Sequence, residues 1–342
     1  MYWATLAVAG FGAGALVGAL LARWIDAACQ ERLPGIGGGC LECGFVAPGW
    51  RRWPVMSWSL LFRSCPACGG ALRRDPFAVE LATAALFALF LVAYFFWQCQ
   101  KLDEVQPDTF WYYGRALYHL TLMALLITAT GTDLREYMIP DSITIPGVLI
   151  GFGLATVSGD LQMIHLWVDW NEPTAFLLGP YIPDWIKTHP HWHGAAWSGA
   201  GLVVGGGLVW LTRLIANAVL GKESLGFGDV TLMAMVGSFI GWQPVVCVYL
   251  LAPLCAVLVG LALRLLHNRA YLPYGPYLAA ATGIVMLSWR WIWTFPLTPS
   301  SSVRHVFGDP VALAMVGGTA LSSLAALLGF LRLARRFLAD TP

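Results

Sequence analysis

The sequence predicts an all-α polytopic membrane protein of about nine transmembrane helices (eight to nine), and three observations predict it. Of the 342 residues 58% are apolar and only 11% are charged, whereas a soluble domain needs about a quarter charged residues to cover its surface. The mean hydropathy is +0.66. Apolar runs recur at the length of roughly 20 residues that a helix needs to cross a bilayer. The net charge of +1 gives no indication of a nucleic-acid partner, and none is expected; the bilayer is the partner that composition requires.

Taken in order, the runs place spans at about 3–25, 78–99, 113–130, 142–158, 197–219, 229–241, 244–263, 273–292 and 309–331. The first lacks a basic start and reads as a retained helix, not a removed signal peptide. The sixth and seventh are separated only by Gly241-Trp242-Gln243 and read as a tight hairpin. The expected organisation is a first helix at 1–25, a cytoplasmic loop at 26–77 and a membrane core at 78–292. An extracytoplasmic Trp- and His-rich loop at 159–196 lies within that core, and 293–342 adds an outer loop, a further helix and a basic tail.

Orientation follows from charge, because short cytoplasmic loops collect Lys and Arg. With the N-terminus outside, fifteen of the 20 Lys and Arg fall inside, and only Lys101, Arg115, Lys187, Arg290 and Arg304 fall outside.

The loop at 26–77 carries Cys40-Leu41-Glu42-Cys43-Gly44 and Cys65-Pro66-Ala67-Cys68-Gly69. Two such knuckles on one loop match a four-thiolate structural Zn2+ site, a zinc-ribbon-like arrangement of Cys40, Cys43, Cys65 and Cys68. Disulfides are disfavoured on the reducing side of a membrane. Cys99, Cys247 and Cys255 lie in or near spans and read as packing residues.

Three carboxylates fall at the cytoplasmic edge: Asp133 at the end of the third span, Asp141 at the start of the fourth and Asp229 at the start of the sixth. Ionisable groups there are costly and face the bundle interior or water. Asp141, after Pro140, reads first as a helix N-cap. Asp133 and Asp229 lie on separate helices and suit a pair sharing one proton, the neutral member polarising a carbonyl and the ionised one activating water. Such chemistry requires no metal or cofactor. Gly226 and Gly228 precede Asp229, where lack of a side chain allows close backbone approach.

Leu225-Gly226-Phe227-Gly228-Asp229 resembles the Gly-x-Gly-Asp signature of the bacterial type IV prepilin peptidases, a family of membrane aspartyl proteases. Thr132-Asp133 followed by Ile139-Pro140-Asp141 resembles the family's other site. Arg74-Asp75-Pro76-Phe77-Ala78-Val79-Glu80 and Leu272-Pro273-Tyr274-Gly275-Pro276 resemble two further segments, so the likeness runs in order over about 10–290. It implies an inner-membrane endopeptidase with Asp133 and Asp229 as the catalytic pair and Gly226, Gly228 and Asp141 in support. It also implies prepilin or pseudopilin substrates of type IV pilus or type II secretion systems, cut at the cytoplasmic border. By resemblance alone it adds N-methylation of the new N-terminus with S-adenosylmethionine, and a role for Glu80 in holding the leader. Thr231 stands where the family usually has Lys, leaving Arg135 or Lys222 as candidate replacements.

Rival readings are a membrane transporter or assembly scaffold using intramembrane acids, and a presenilin-like intramembrane protease. Against the latter, Thr132 rather than Tyr precedes Asp133. In the external loop, Trp residues predict a re-entrant or surface-lying segment, and His189, His191 and His193 form a weak metal candidate.

Overall fold

The computed structural model describes residues 2–30, 65, 67–70, 75–173, 175–221, 225–267 and 273–339. Among them lie α1 (Tyr2–Gln30), α2 (Asp75–Phe95), α3 (Thr109–Glu136), α4 (Asp141–Ser158), α5 (Ala175–Leu178) and α6 (Asp184–Thr188). They continue as α7 (Pro190–Leu220), α8 (Phe227–Ile240), α9 (Trp242–His267), α10 (Gly275–Trp293), α11 (Val303–Gly308) and α12 (Pro310–Ala339). The described residues form no sheet, only three isolated bridges. Six helices, α1, α2, α3, α4, α7 and α9, are long and apolar enough to cross a membrane, and α8 and α12 carry shorter apolar stretches. The molecule is therefore an all-helical integral membrane protein.

Small residues bring the helices together, as expected where lipid-soluble helices gain from contact rather than from leaving water. Gly14 and Gly18 of α1 face α2, where an added Cβ would stand 2.7 Å from Ala84 Cα and Glu80 Cα respectively. The backbones of Gly201 on α7 and Gly237 on α8 touch directly. Side chains such as Val8, Leu16, Leu149, Val203 and Leu258 remain exposed on the outside of the bundle, where acyl chains complete their packing.

The core centres on α8. Leu232, Met233, Met235, Val236, Phe239 and Ile240 are all at 0% exposure, because α3, α4, α7, α9 and α10 surround this helix. With 14 residues it is about 21 Å long, less than the roughly 30 Å of a hydrocarbon core. A helix that short, enclosed on every side, ends in a recess. Its far end turns at Gly241, whose φ of +82° lets α9 begin at the next residue, the expected tight hairpin.

Several boundaries differ from the sequence reading. The second span, expected to reach 99, stops at Phe95, because residues 96–100 form a turn with Gln98 at φ +50°. The third, expected over 113–130, runs from Thr109 to Glu136, and the fifth starts at Pro190, since proline fits a first helical turn. The loop expected at 26–77 begins only after Gln30 and ends before Asp75. Most of it, including Cys40 and Cys43, lies outside the described residues.

The Trp- and His-rich loop packs over the end of the bundle where α3 begins and α4 ends, with Leu161, Met163, Ile164, Val168 and Ile186 buried. The Glu104 carboxylate organises it, accepting the indole N–H of Trp170 at 2.8 Å and of Trp293 at 3.1 Å. Trp242 and Gln243 donate to Leu166 O and His165 O, each at 2.8 Å, and the Arg304 guanidinium lies 3.9 Å above the Trp170 ring. These polar partners hold Trp170, which the sequence reading places at the membrane interface, whereas Trp192 remains 74% exposed.

Candidate active site

Helix ends converge at one pole of the bundle: the C-terminus of α3 and the N-termini of α4, α8 and α10. They enclose a cavity of about 450 Å³ lined by Asp133, Ile139, Asp141, Gly226, Gly228, Asp229 and Tyr274, among others. Asp133 and Asp229, 96 positions apart in sequence, are thus brought into one recess. They are 5% and 7% exposed: sheltered from lipid, yet open to the cavity.

Local geometry explains each side chain's position. Helix α3 stops at Tyr137, whose backbone adopts the left-handed conformation (φ +55°) and returns its N–H to Asp133 O at 2.9 Å. Pro140 then caps α4 in extended conformation. Between them Ile139, 6% exposed, forms a wedge. A Cβ on Gly228 would stand 3.1 Å from Ile139 Cβ, and one on Gly275 would stand 3.0 Å from Ile139 Cδ1. Both glycines thus leave room for one isoleucine.

Gly275 does more. Its N–H, at the start of α10, donates to Asp133 Oδ2 at 3.1 Å, and a Cβ there would lie 2.5 Å from the same oxygen. Helix N-termini offer unpaired N–H groups and a favourable dipole to anions. The Pro273-Tyr274-Gly275-Pro276 segment therefore places a donor against one carboxylate, a role that the sequence reading misses. Gly226 is the N-cap of α8, and its main chain faces the Asp229 carboxylate, with Oδ2 3.8 Å from the point where its Cβ would be.

Asp141 is exposed on the cavity rim and is the first residue of α4 rather than its cap; Pro140 takes that position and offers no side-chain bond. The N-cap expectation is corrected accordingly. Glu80 is 3% exposed, packed where α2 meets Gly18 of α1, and does not line the cavity. Thr231 turns its hydroxyl to Gly228 O at 3.1 Å. Of the two candidate replacements for the missing lysine, Arg135 is ion-paired to Asp26 of α1, and Lys222 lies outside the described residues. Among the described residues, Arg213 of α7 is a cation beside the glycine loop. Its Nε donates to Leu225 O at 3.1 Å and its guanidinium lies 5.8 Å from the centre of the Phe227 ring. Neither Asp26 nor Arg213 carries a motif that would single it out.

Two of the four loop cysteines proposed as ligands, Cys65 and Cys68, are described. Cys65 and Cys68 form a turn closed by Gly69 N–H to Cys65 O at 2.8 Å, with Gly69 at φ +77°. Ala67 N–H and Gly70 N–H point at Cys65 Sγ and Cys68 Sγ, each at 3.4 Å. Among the described residues no group of three or more His, Cys, Asp or Glu is placed to hold a metal. The external histidines diverge: His189 meets Thr188, His191 meets Thr156 O, and His193 accepts Leu166 N–H at 3.0 Å. Their adjacency in sequence makes no metal site.

Comparison with known proteins accords with this geometry. The profile of the type IV leader peptidase family matches residues 120–261, and that of the bacterial peptidase A24 N-terminal domain matches 13–94. A prepilin leader peptidase/N-methyltransferase of Pseudomonas putida is 27% identical over 72% of this chain and 70% of its own length. One from Aeromonas salmonicida (strain A449) is 29% identical over 72% and 70%, and one from Burkholderia pseudomallei (strain K96243) is 27% identical over 70% and 63%. No solved structure matches. The two profiles cover the stretches that carry the aspartate recess and the cysteine loop, and the chain belongs to the type IV leader peptidase family.

Proposed function

We propose that the chain is a prepilin peptidase in which Asp133 and Asp229 act as a catalytic pair at the cytoplasmic membrane border, with N-methylation of the product as its second activity. The observation that carries the peptidase reading is one cavity lined by both carboxylates. Water held between them attacks the scissile carbonyl while its proton passes to the ionised carboxylate. The protonated partner donates to the carbonyl oxygen. Collapse breaks the C–N bond, the amine takes a proton, and the pair again holds one. Gly275 N–H steadies Asp133, Gly226 and Gly228 let the loop approach, and Asp141 lies on the rim.

The substrate that suits this recess is a prepilin or pseudopilin with a short basic leader in the cytoplasm and an apolar helix in the bilayer. Exposed Tyr137, Met138 and Phe227 (61%, 58% and 56%) flank the cavity and offer that helix an apolar approach. In this reading α1, α2, α3, α4, α7, α8, α9, α10 and α12 each cross the bacterial inner membrane, with the N-terminus outside.

Cys40, Cys43, Cys65 and Cys68 together would hold a structural Zn2+ that staples the cytoplasmic loop; the Cys65–Cys68 turn fits such a role. The methyl donor would be S-adenosylmethionine, which supplies an electrophilic methyl group to the new amine. No glycine-rich loop follows a strand among the described residues, and no described side chain is given a part in that transfer. Glu80, packed under α1, would act on the leader only through the fit of α1 against α2.

The deciding experiment co-expresses a prepilin with Asp133→Asn or Asp229→Asn and reads leader loss and methylation by mass spectrometry. Each variant should reach the membrane at normal level and leave the leader attached. Full processing by either would remove the pair from catalysis. A transporter would keep its transport after loss of Asp229 and would process no prepilin.

A further inference from the structure

At the opposite pole from the aspartates, a second cavity of about 470 Å³ opens between the turn after α2 and the first turns of α3. It is lined by Tyr94, Gln98, Gln100, Lys101, Tyr112 and Arg115, among others. Two of these are polar side chains nearly closed off from solvent, Gln100 and Arg115, each 2% exposed. Each leaves one atom unsatisfied: Arg115 Nε, a donor, and Gln100 Oε1, an acceptor, have no hydrogen-bond partner. Gln100 Nε2 donates to Met286 O at 3.0 Å and Arg115 Nη2 to Asp160 O at 3.3 Å, while Tyr94 hydroxyl donates to Tyr112 O at 2.8 Å. An unpaired buried donor and acceptor each cost about 1–3 kcal/mol, so their survival in one cavity points to an occupant that satisfies both.

The charge balance indicates what kind. Arg115 and exposed Lys101 supply two cations to the lining, which contains no carboxylate. The nearest carboxylate, Asp160, lies outside the lining, its main-chain O accepting from Arg115 and its Oδ2 from Asp108 N–H at 2.8 Å. The surroundings indicate the depth. Phe96, Trp97, Phe110 and Tyr113, 50–73% exposed, encircle this end of α2 and α3, as aromatic residues do at the headgroup level of a bilayer. Beside the same turn, an apolar cleft of about 370 Å³ runs between α1 and α2, lined by Trp3, Ala7, Ala88, Leu89, Val92 and Phe96, a shape suited to an acyl chain.

We infer that this outer cavity binds a phosphodiester bearing a neighbouring hydroxyl, the headgroup chemistry of an anionic glycerophospholipid. The phosphate accepts from Arg115 and Lys101, the hydroxyl donates to Gln100 Oε1, and an acyl chain lies in the cleft between α1 and α2. The site is independent of the aspartate recess and of the peptidase reading.

Native mass spectrometry of the full chain, with dioleoylphosphatidylglycerol and dioleoylphosphatidylcholine in competition, tests it. Wild type should retain the anionic lipid preferentially at about one per chain, and Lys101→Gln should reduce that preference by about fivefold or more. Arg115→Lys, which keeps the charge but loses the guanidinium fork, should weaken retention further. Leader cleavage by Lys101→Gln in detergent should stay normal, which separates this site from the catalytic one. Glycerophosphoglycerol and inorganic phosphate distinguish the source: displacement of the lipid by either at millimolar concentration would assign the site to a soluble phosphate and overturn the lipid assignment. Equal retention of both lipids, or no response to Lys101→Gln and Arg115→Lys together, would overturn the site itself.

Discussion

Among the glycines of the aspartate recess, the narrowest tolerance is at Gly275. Its backbone N–H lies 3.1 Å from Asp133 Oδ2, and a methyl group added to it would stand 2.5 Å from that oxygen. Gly275→Ala must therefore move either the carboxylate or the start of α10. Misplacement of a reacting group by about 1 Å costs on the order of a hundredfold in rate, so a loss of that order in leader cleavage is expected, with the protein still at normal level in the membrane; pulse-labelled prepilin processing would measure it. Gly226→Ala, whose Cβ would find only contacts of 3.8 Å or more, should be far milder. The pair also sets the form of the pH profile. One proton shared by two carboxylates supports turnover only between the loss of the base at low pH and of the acid at high pH. A bell-shaped dependence of kcat/KM is expected, and Asp133→Asn and Asp229→Asn should leave no measurable limb. A monotonic profile for the wild type would count against a shared proton.

At the scale of elements, two clamps hold the site and its opposite end. Arg135, two residues beyond Asp133, pairs with Asp26 of α1, their side chains 18% and 10% exposed. Removing one partner of a largely buried pair leaves an uncompensated charge, which costs about 3–5 kcal/mol. Arg135→Met should thus lower the melting temperature in detergent markedly, and Asp26→Asn added to it should recover part of the loss. The second clamp is the outer cap, where burial pushes the His165 imidazole from 6.5 down to about 4. A histidine held neutral in the fold stabilises it fully above the unfolded value, and that stability is lost as pH falls from 6.5 toward 4, by up to about 3 kcal/mol. Melting temperature measured at pH 7, 5.5 and 4.5 should fall with pH, and His165→Gln should flatten the slope. Legibility divides along the same line. The helices and both aspartates stand out because apolar runs and acids at membrane edges are local patterns. The Asp26–Arg135 pair, the Gly275 donor and the Glu104–tryptophan cap are not legible, because each joins residues far apart in sequence whose types are ordinary for their positions. Trp170 reads as an interfacial residue until a carboxylate is found at its indole nitrogen.

For the whole molecule, orientation is the property on which catalytic location depends. Asp133 closes α3 while Asp229 and Gly275 open α8 and α10, so one outgoing and two incoming chain ends meet at a single pole. If α1, α2, α3, α4, α7, α8, α9, α10 and α12 all cross, α3 runs inward from an outer N-terminus, and the pole lies on the cytoplasmic side. The cysteine loop between α1 and α2 then lies on that side as well, where thiols stay reduced and remain available to a metal. The cap and the headgroup cavity face outward. Single cysteines introduced into a background lacking the native ones test this directly. A cysteine at Ser300, between α10 and α11, should react in intact cells with a membrane-impermeant maleimide, and one at Tyr137 only after permeabilisation. The short helix α8 makes the second arm demanding. Fourteen residues leave its N-terminus in a recess below the headgroups, so a cysteine at Phe227 should react slowly even with the membrane opened, and faster with a small reagent than a large one. Labelling of position 137 in intact cells would place both aspartates on the outer side, away from a cytoplasmic leader, and would defeat the peptidase assignment whatever the distance between the two carboxylates.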